Sequence, residues 1–581
     1  MLTRLVPWKT FLRLAARRYG FIDPVGVLAQ LRSFAQPSEV QEPVELLRAG
    51  MVFHARGLLN TRAIQHNLDW VWPYWIVRQF NPADPSFIPR AFSFSHINLT
   101  HRNWTAIGLP DLALYPIVDP RGLVTPLDDG WSIDCWLQGA DGVTLFPSRL
   151  EHARQRLVDD DNRRVVTECG PADRRLITSV WLDQESSGRP LVTVRAATAA
   201  PGWLVVALRP FNPEGVQFIE TAEALREAAG WLVNGRVRVW FDRPAARMLF
   251  SDYQHADVAS RLQEEERGRS RQCRIGMVTA AALFPVSGGQ EGQEVTVRVE
   301  LPPPPAAARR SRRWPEAVQP AASLHLPDAR LQGLYDTAVR TLIHLAAGDI
   351  VPGPYTYKRF WFRDACLMLH PLVAIGLADL CRRQLDRFPA RQKKDGFFHS
   401  QAGEWDANGQ VLWLCNRYRL LTGGDLSPQW LDAIWRGGQW IEAKRVKAAG
   451  DARHHGLLPP GFSAEHFGPN DYYYWDDFWA LAGLAGAAAT LDSCGRAQEG
   501  RHLAAVAADL QGCLAASLDA VSRERGGPSR CRPTGAWIPA PSGRWWPTTR
   551  SSSFRPGIPA FWPRPTFSGT TAFTAAASFR I

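Results

Sequence analysis

Nowhere in this chain do two cysteines form a C-x-x-C pair, and no stretch reaches the roughly 18 consecutive apolar residues of a membrane-spanning helix. The nine cysteines, Cys135, Cys169, Cys273, Cys366, Cys381, Cys415, Cys494, Cys513 and Cys531, are odd in number and scattered. That excludes a disulfide framework and a thiolate zinc site, and reads as buried thiols of a reducing compartment. Near the N-terminus Arg4, Lys9, Arg13, Arg17 and Arg18 interrupt the apolar residues, so no signal-peptide core follows. The expectation is a cytoplasmic protein with no membrane partner, in which the sequons at Asn98 and Asn103 carry no weight.

The other absences lie at the end. From Pro528 to Ile581 there is no leucine, valine, lysine or acidic residue, but nine prolines, four tryptophans (Trp537, Trp545, Trp546, Trp562) and seven arginines. Of the net charge of +11, 11 − 7 leaves +4 for everything before Pro528. That is a weak field for a body of this size, and with no basic stripe a nucleic-acid partner is not expected. No periodic element can be drawn through residues 526–581, which read as an aberrant, low-order tail. One GC-rich back-translation of Ala536 onward, read from the third base, gives Leu-Asp-Ser-Gly-Ala-Ile-Gly-Ser-Leu-Val-Ala-Asp-Tyr-Pro. The expectation is a frame slip near Gly535, and an unambiguous DNA read supporting the present frame would remove it.

What is present is a long globular chain, 581 residues with 45% hydrophobic and 21% charged content, more than one core usually holds. Residues 1–300 read as a β-rich, antiparallel sandwich-like domain with a helical segment over residues 1 to about 60. Alternation appears at Phe92, Phe94, Ile97 and Leu99, in Leu191–Arg195 and in Val295–Val299. Between Trp231 and Trp240, Asn234-Gly235 supplies the two positive-φ residues of a type I′ hairpin turn. His96, His101, Arg102 and Trp104 form a polar knot, but no third ligand lies at metal spacing, so no metal is expected.

Four prolines, Pro302 to Pro305, and the arginines of Arg309–Arg313 mark residues 301–322 as a solvated linker. From 323 to 525 the period changes to 3.6. Leu331, Leu334, Ala338, Leu342 and Leu345 mark one helix, and Val411, Leu414, Cys415, Tyr418 and Leu421 another. Ser427-Pro428 opens a third, bearing Leu431, Ile434, Trp435 and Ile441, and two more cover Asp477–Leu491 and Gln498–Ala520. Helices repeated without strands make an all-α array whose loops gather at one end.

Three acidic and aromatic clusters sit on those loops. The first is Trp361, Arg363 and Asp364, where a ring can wall a sugar and a charged pair can bind hydroxyls; the plain alternative is an Asp at a helix start. The second is Glu404, Trp405 and Asp406. If the backbone is extended there, both carboxylates face one pocket with Trp405 turned aside, and crowding raises one pKa so that a proton is kept near neutrality. The plain alternative is that Asp406 or Asn408 caps the following helix. The third is Pro469–Trp479, with Tyr474, Trp475, Asp476 and Asp477 as a pocket rim or as a structural knot of tyrosine hydroxyls and aspartates.

Tyr355-x-Tyr-x-x-x-Trp361-x-Arg363-Asp364 resembles the W-x-R-D motif of glucoamylase-type, six-hairpin glycosidases, a group including glycoside hydrolase families 15 and 63 and the amylo-α-1,6-glucosidases. The resemblance covers about residues 325 to 520. It implies a multidomain fold, a sandwich ahead of an (α/α)6 toroid, incomplete here because about seven helices can be counted where twelve are needed. It assigns to Asp364 the holding of sugar hydroxyls, and it resembles the general-acid loop at Gln401–Gln410, leaving Asp406 and Glu404 both open as proton donor. It implies substrate contact at Trp361, Arg363, Trp405, Tyr474, Trp475, Asp476 and Asp477. Some members have a glutamate where Gln410 stands, and the late loop that carries the general base is absent here.

The implied function is hydrolysis of an α-glucosidic oligo- or polysaccharide, glucoamylase- or debranching-like, with no cofactor. It is inverting if the carboxylates lie roughly 6.5 to 9.5 Å apart. Two alternatives stand beside it: a toroid-fold glycoside phosphorylase, and a catalytically dead carbohydrate-binding or scaffold protein. The sequence carries no signal for an oligomeric state.

Overall fold

A computed structural model describes residues 69–73 and 104–525, apart from 128–129, 214, 266–267, 290–292, 303–309, 355–357, 402, 425, 448–452 and 462–469. The helical segment expected before residue 60, the alternation at Phe92–Leu99, His96, His101 and Arg102, Tyr355 and Tyr357, Cys531 and the tail therefore lie outside the described residues. The described residues divide into a β unit ending at Gly348, joined by 353–358, and a helical unit made of Asp349–Pro352 and the residues from Arg359 onward.

The β unit holds two large antiparallel sheets, of eight and nine strands. Strands such as Pro190–Thr198 and Gln293–Glu300 pair residue for residue, from Gln293 against Thr198 to Glu300 against Leu191. Their inward positions, Val192, Val194, Val295, Val297 and Val299, share one core with Ile133, Leu137, Leu204, Val206 and Phe284 of the other sheet. β-branched residues in strict alternation suit a half-buried pleated surface, which is why this pattern was legible. The hairpin forms as expected, with Gly230–Val233 paired to Val237–Phe241 and Asn234 and Gly235 at φ 51 and 65°.

Two helices belong to this unit although the sequence placed the change of domain before them. Helix α1, Trp314–Val318, is anchored where Trp314 Nε1 donates to the Gly108 carbonyl at 3.0 Å. Helix α2, Ala329–Leu345, receives the buried Arg163 guanidinium, which donates to Thr337 O at 3.3 Å and Thr341 Oγ1 at 3.2 Å. The expected apolar stripe of α2 is largely wrong: of its five residues only Leu345 is buried, Leu331 and Leu334 are 51% and 58% exposed, and the face that turns inward is that of Val339 and Ile343. The expected boundaries of 301–322 for the linker and 323 for the helical domain thus give way, in contact terms, to one near Gly348.

The helical unit contains α3 (Phe362–Ala374), α4 (Ala378–Leu385), α5 (Asp406–Thr422), α6 (Pro428–Lys444), α7 (Tyr474–Ser493) and α8 (Ala497–Arg525). These are three successive hairpins. Helix α5 packs between α3 and α7, while α4, α6 and α8 are the returning arms of the hairpins. Ser427 stands at the N-cap of α6 with Pro428 at N1, as expected, but its side chain makes no capping bond. Helix α8 is long and apolar enough, by length and composition, to cross a membrane; its Leu503, Leu510 and Leu514 are buried. The described cysteines are all free, six of them buried.

Helices α5 and α7 meet backbone to backbone through glycine. A Cβ added at Gly409 would sit 2.2 Å from Trp479 O, and one at Gly483 would sit 2.4 Å from Gly409 O. Neither neighbour can swing away, because both are main chain. Gly409→Ala is therefore expected to destabilise the helical unit by about 3 kcal/mol, despite the roughly 1 kcal/mol that alanine gains in a helix. Urea unfolding followed by tryptophan fluorescence checks this; an unchanged midpoint would contradict the contact.

Candidate active site

The hairpin arrangement gives the site its place. The three sequence clusters fall at the N-termini of α3, α5 and α7, the three helices that touch in succession. Unpaired N–H groups and the positive end of the helix dipole favour carboxylates there.

Asp406 opens α5 and is 1% exposed. Its Oδ2 accepts from Arg363 Nε at 2.6 Å, Trp475 Nε1 at 2.8 Å and Gln410 Nε2 at 3.2 Å. Its Oδ1 lies 3.4 Å from Arg363 Nη2. Three donors thus converge on Oδ2, while Oδ1 keeps only the long contact to the guanidinium.

Glu404 is 2% exposed, and its Oε1 lies 3.3 Å from Arg363 Nη2 without the alignment of a hydrogen bond. Burial pushes its carboxyl up to about 7, the Arg363 charge opposing and the Asp406 charge reinforcing the rise. Arg363 remains a cation: burial works against its charge, but Asp406 and Glu404 hold it above its ordinary pKa. Asp476, 5% exposed in the first turn of α7, is raised well above the usual carboxylate range by burial and then by the Asp406 charge. One guanidinium thus sits among three buried carboxyls, and the surplus negative charge is relieved by protonation. Asp364 is half-buried and near enough to add to the rise at Glu404.

The structure brings Arg363, Glu404, Asp406, Trp475 and Asp476 together, with Asp364 beside them. Trp475 is 37% exposed while bonded to Asp406, so it stands between the cluster and solvent. Trp361 precedes α3 and faces the Arg359 guanidinium at 5.1 Å.

Other expectations fail for identifiable reasons. The backbone at Trp405 is helical (φ −84°, ψ −11°), not extended; Glu404 and Asp406 converge on Arg363 because Gly403, at φ 89°, turns the chain just before α5. Trp405 is turned aside as expected, but into an aromatic packing with Phe397 and Trp440 and a bond to Pro460 O at 3.2 Å, not toward the carboxylates. Neither Asp406 nor Asn408 caps α5. Asn408, fully buried, instead accepts from Phe398 N at 2.8 Å and donates to Gly396 O and Gly437 O at 3.0 Å each.

Of the proposed rim, Tyr474 is 1% exposed and bonds Ser517 Oγ at 2.9 Å, and Asp477 accepts from Leu458 N at 2.9 Å. Both tie the start of α7 to its surroundings and are structural. Gln410 was not singled out as a site residue. Its spacing of four from Asp406 on one helix was the available signal.

The chain shares its fold with a bacterial glucoamylase. That enzyme, solved with acarbose, superposes with a TM-score of 0.50 at 10% identity over 70% of this chain and 67% of its own. An α-mannosidase of family GH92 from Bacteroides thetaiotaomicron matches more loosely, with a TM-score of 0.34 at 10% identity over 70% of this chain and 61% of its own. No protein-family model matches the sequence, and no curated protein does. At such identity the likeness shows the fold alone, and the chemistry has to be argued from the residues.

Proposed function

We propose that the chain cleaves glycosidic bonds in an α-glucosidic oligo- or polysaccharide, with Glu404 as the proton donor. The observation that carries the reading is the contrast between neighbours. Glu404 is buried with a pKa pushed up to about 7, while one oxygen of Asp406 is engaged by Arg363, Trp475 and Gln410. As the C–O bond breaks, the Glu404 proton passes to the leaving oxygen, positive charge develops on the sugar ring, and a water molecule adds to the anomeric carbon and releases its proton to solvent. Asp406, fixed by Arg363, Trp475 and Gln410, lies where it can stabilise that charge without reorganisation. Trp475 and Trp361 offer ring faces to the pyranose, and Asp364 can accept hydroxyl protons.

The supporting experiment is reducing-sugar release from malto- and isomalto-oligosaccharides by the full chain, with and without phosphate. Hydrolysis independent of phosphate is expected, and preference between the two series separates a glucoamylase-like from a debranching-like specificity. Glu404→Gln should be at least tenfold more damaging to kcat than Asp406→Asn. If neither change slows hydrolysis, the assignment is wrong. Sugar binding without turnover is the second reading; it is favoured by the commitment of Asp406 to three donors, which leaves no carboxylate assigned to activate water.

A further inference from the structure

Four adjacent strands of the nine-stranded sheet, Leu176–Gln184, Pro190–Thr198, Gln293–Glu300 and Val237–Phe241, are in register so that Trp181, Thr193, Arg298 and Trp240 form one row across them. Directly paired residues point to the same side of a sheet. Their chain neighbours Val180, Leu182, Val192, Val194, Val297, Val299 and Val239 are all buried in the core, so the row faces outward.

Both indoles are tethered by their N–H. Trp240 Nε1 donates to Glu300 Oε1 at 2.7 Å, and Glu300 is itself held by Arg189 at 2.9 Å. Trp181 Nε1 donates to Asp183 Oδ2, and Asp183 also accepts from Asn162 Nδ2 at 2.6 Å. A ring pinned at its edge keeps its faces in place and loses little rotamer freedom when something stacks on it. Between the rings Arg298 is exposed and makes no ion pair or hydrogen bond among the described residues. Thr193 points the same way yet is 2% exposed, flanked by Trp181 and Arg298.

We infer that this row is a carbohydrate platform separate from the carboxylate cluster, on which a neutral polysaccharide chain stacks against Trp240 and Trp181 and hydrogen-bonds Arg298. Three strand spacings put the two rings about 14 Å apart, a span suited to a short run of sugars. Indole faces cover the apolar C–H faces of pyranoses, and a free guanidinium supplies several donors to hydroxyls. A nucleic acid fits poorly, because nearby arginines are already matched: Arg189 by Glu300 and Arg195 by Glu294 at 3.6 Å. One exposed tryptophan on a sheet is ordinary; an exposed Trp240 and a half-buried Trp181 in one register row, each fixed by a carboxylate, are not. Choosing a neutral α-glucan as the ligand rests on the glycosidase reading, whereas the platform itself does not.

The test is affinity electrophoresis of the full chain through native gels containing glycogen or soluble starch, together with a Trp181→Ala/Trp240→Ala double variant, Trp240→Phe and Glu404→Gln. The wild-type chain and Glu404→Gln should be retarded alike, while the double variant should lose retardation yet keep its kcat on short oligosaccharides, which separates the platform from the catalytic assignment. Each ring removed should weaken binding by up to about tenfold, and Trp240→Phe should keep part of it. Three results would overturn the platform: a double variant of unchanged melting temperature that is retarded as strongly as wild type, a wild-type chain retarded by neither polysaccharide, or a double variant that changes only the sedimentation of the protein with itself.

Discussion

Glu404→Gln is expected to lower kcat on natural oligosaccharides by about 10²- to 10⁴-fold, the usual worth of a positioned general acid. The amide is isosteric, so KM should stay within a few-fold and the fold should survive. The loss should depend on the leaving group. An aryl glycoside whose phenolate departs without help needs no proton, and on it the variant should approach the wild-type rate. Equal losses on both substrates would mean that Glu404 positions the sugar or the loop, and that the donor lies elsewhere.

Arg363→Met is expected to have the largest effect on stability. The guanidinium bonds Asp406 at 2.6 Å and pairs with Glu404 at 3.3 Å, with both carboxyls 2% exposed or less. Removing one partner of a buried ionic group leaves charge uncompensated and typically costs about 3 to 5 kcal/mol. The cost should depend on pH with a definite sign. Glu404 in the folded chain has a pKa of about 7, raised from 4.5, so the folded state holds the extra proton between those values. Its contribution is fully present below about 4.5 and is lost as pH rises through about 7. Protonation also relieves the site once its cation is gone. Urea midpoints of the helical unit for Arg363→Met should therefore fall less at pH 5.5 than at pH 8. A loss independent of pH would show that packing of the arginine stem, not charge, is what the substitution removes.

How much of this was legible in the sequence follows from how local each determinant is. Asn234-Gly235 set its hairpin because a type I′ turn is decided by two residues. Helices α5 to α8 were readable from their period and from Ser427-Pro428, whereas the eight-residue α4 is too short to show a period. The convergence of the Trp361–Asp364 and Glu404–Asp406 clusters could be expected once both were placed on loops at one end of a helical array.

Orientation within a cluster was not legible. Tyr474, Trp475, Asp476 and Asp477 were treated as one rim, but α7 begins at Tyr474 and successive helical residues turn by about 100°. One therefore enters the core, one faces solvent, one joins the carboxylates and one ties down Leu458. Leu331 and Leu334 show the converse failure: an apolar stripe reports that a face is apolar, not that a neighbour reaches its whole length. The different surroundings of Glu404 and Asp406, on which the proposed choice of donor rests, were also beyond the sequence, since they depend on Trp475, a bond across 69 residues.

The most direct test of the central claim is the pH dependence of kcat/KM for hydrolysis of a malto- or isomalto-oligosaccharide between pH 5 and 9. A proton donor must be protonated in the free enzyme, so activity should be full on the acid side and fall tenfold per unit above an apparent pKa near 7. That limb should be missing from the residual activity of Glu404→Gln. A profile flat through pH 7 to 9, or an alkaline limb that persists unchanged in Glu404→Gln, would contradict the account.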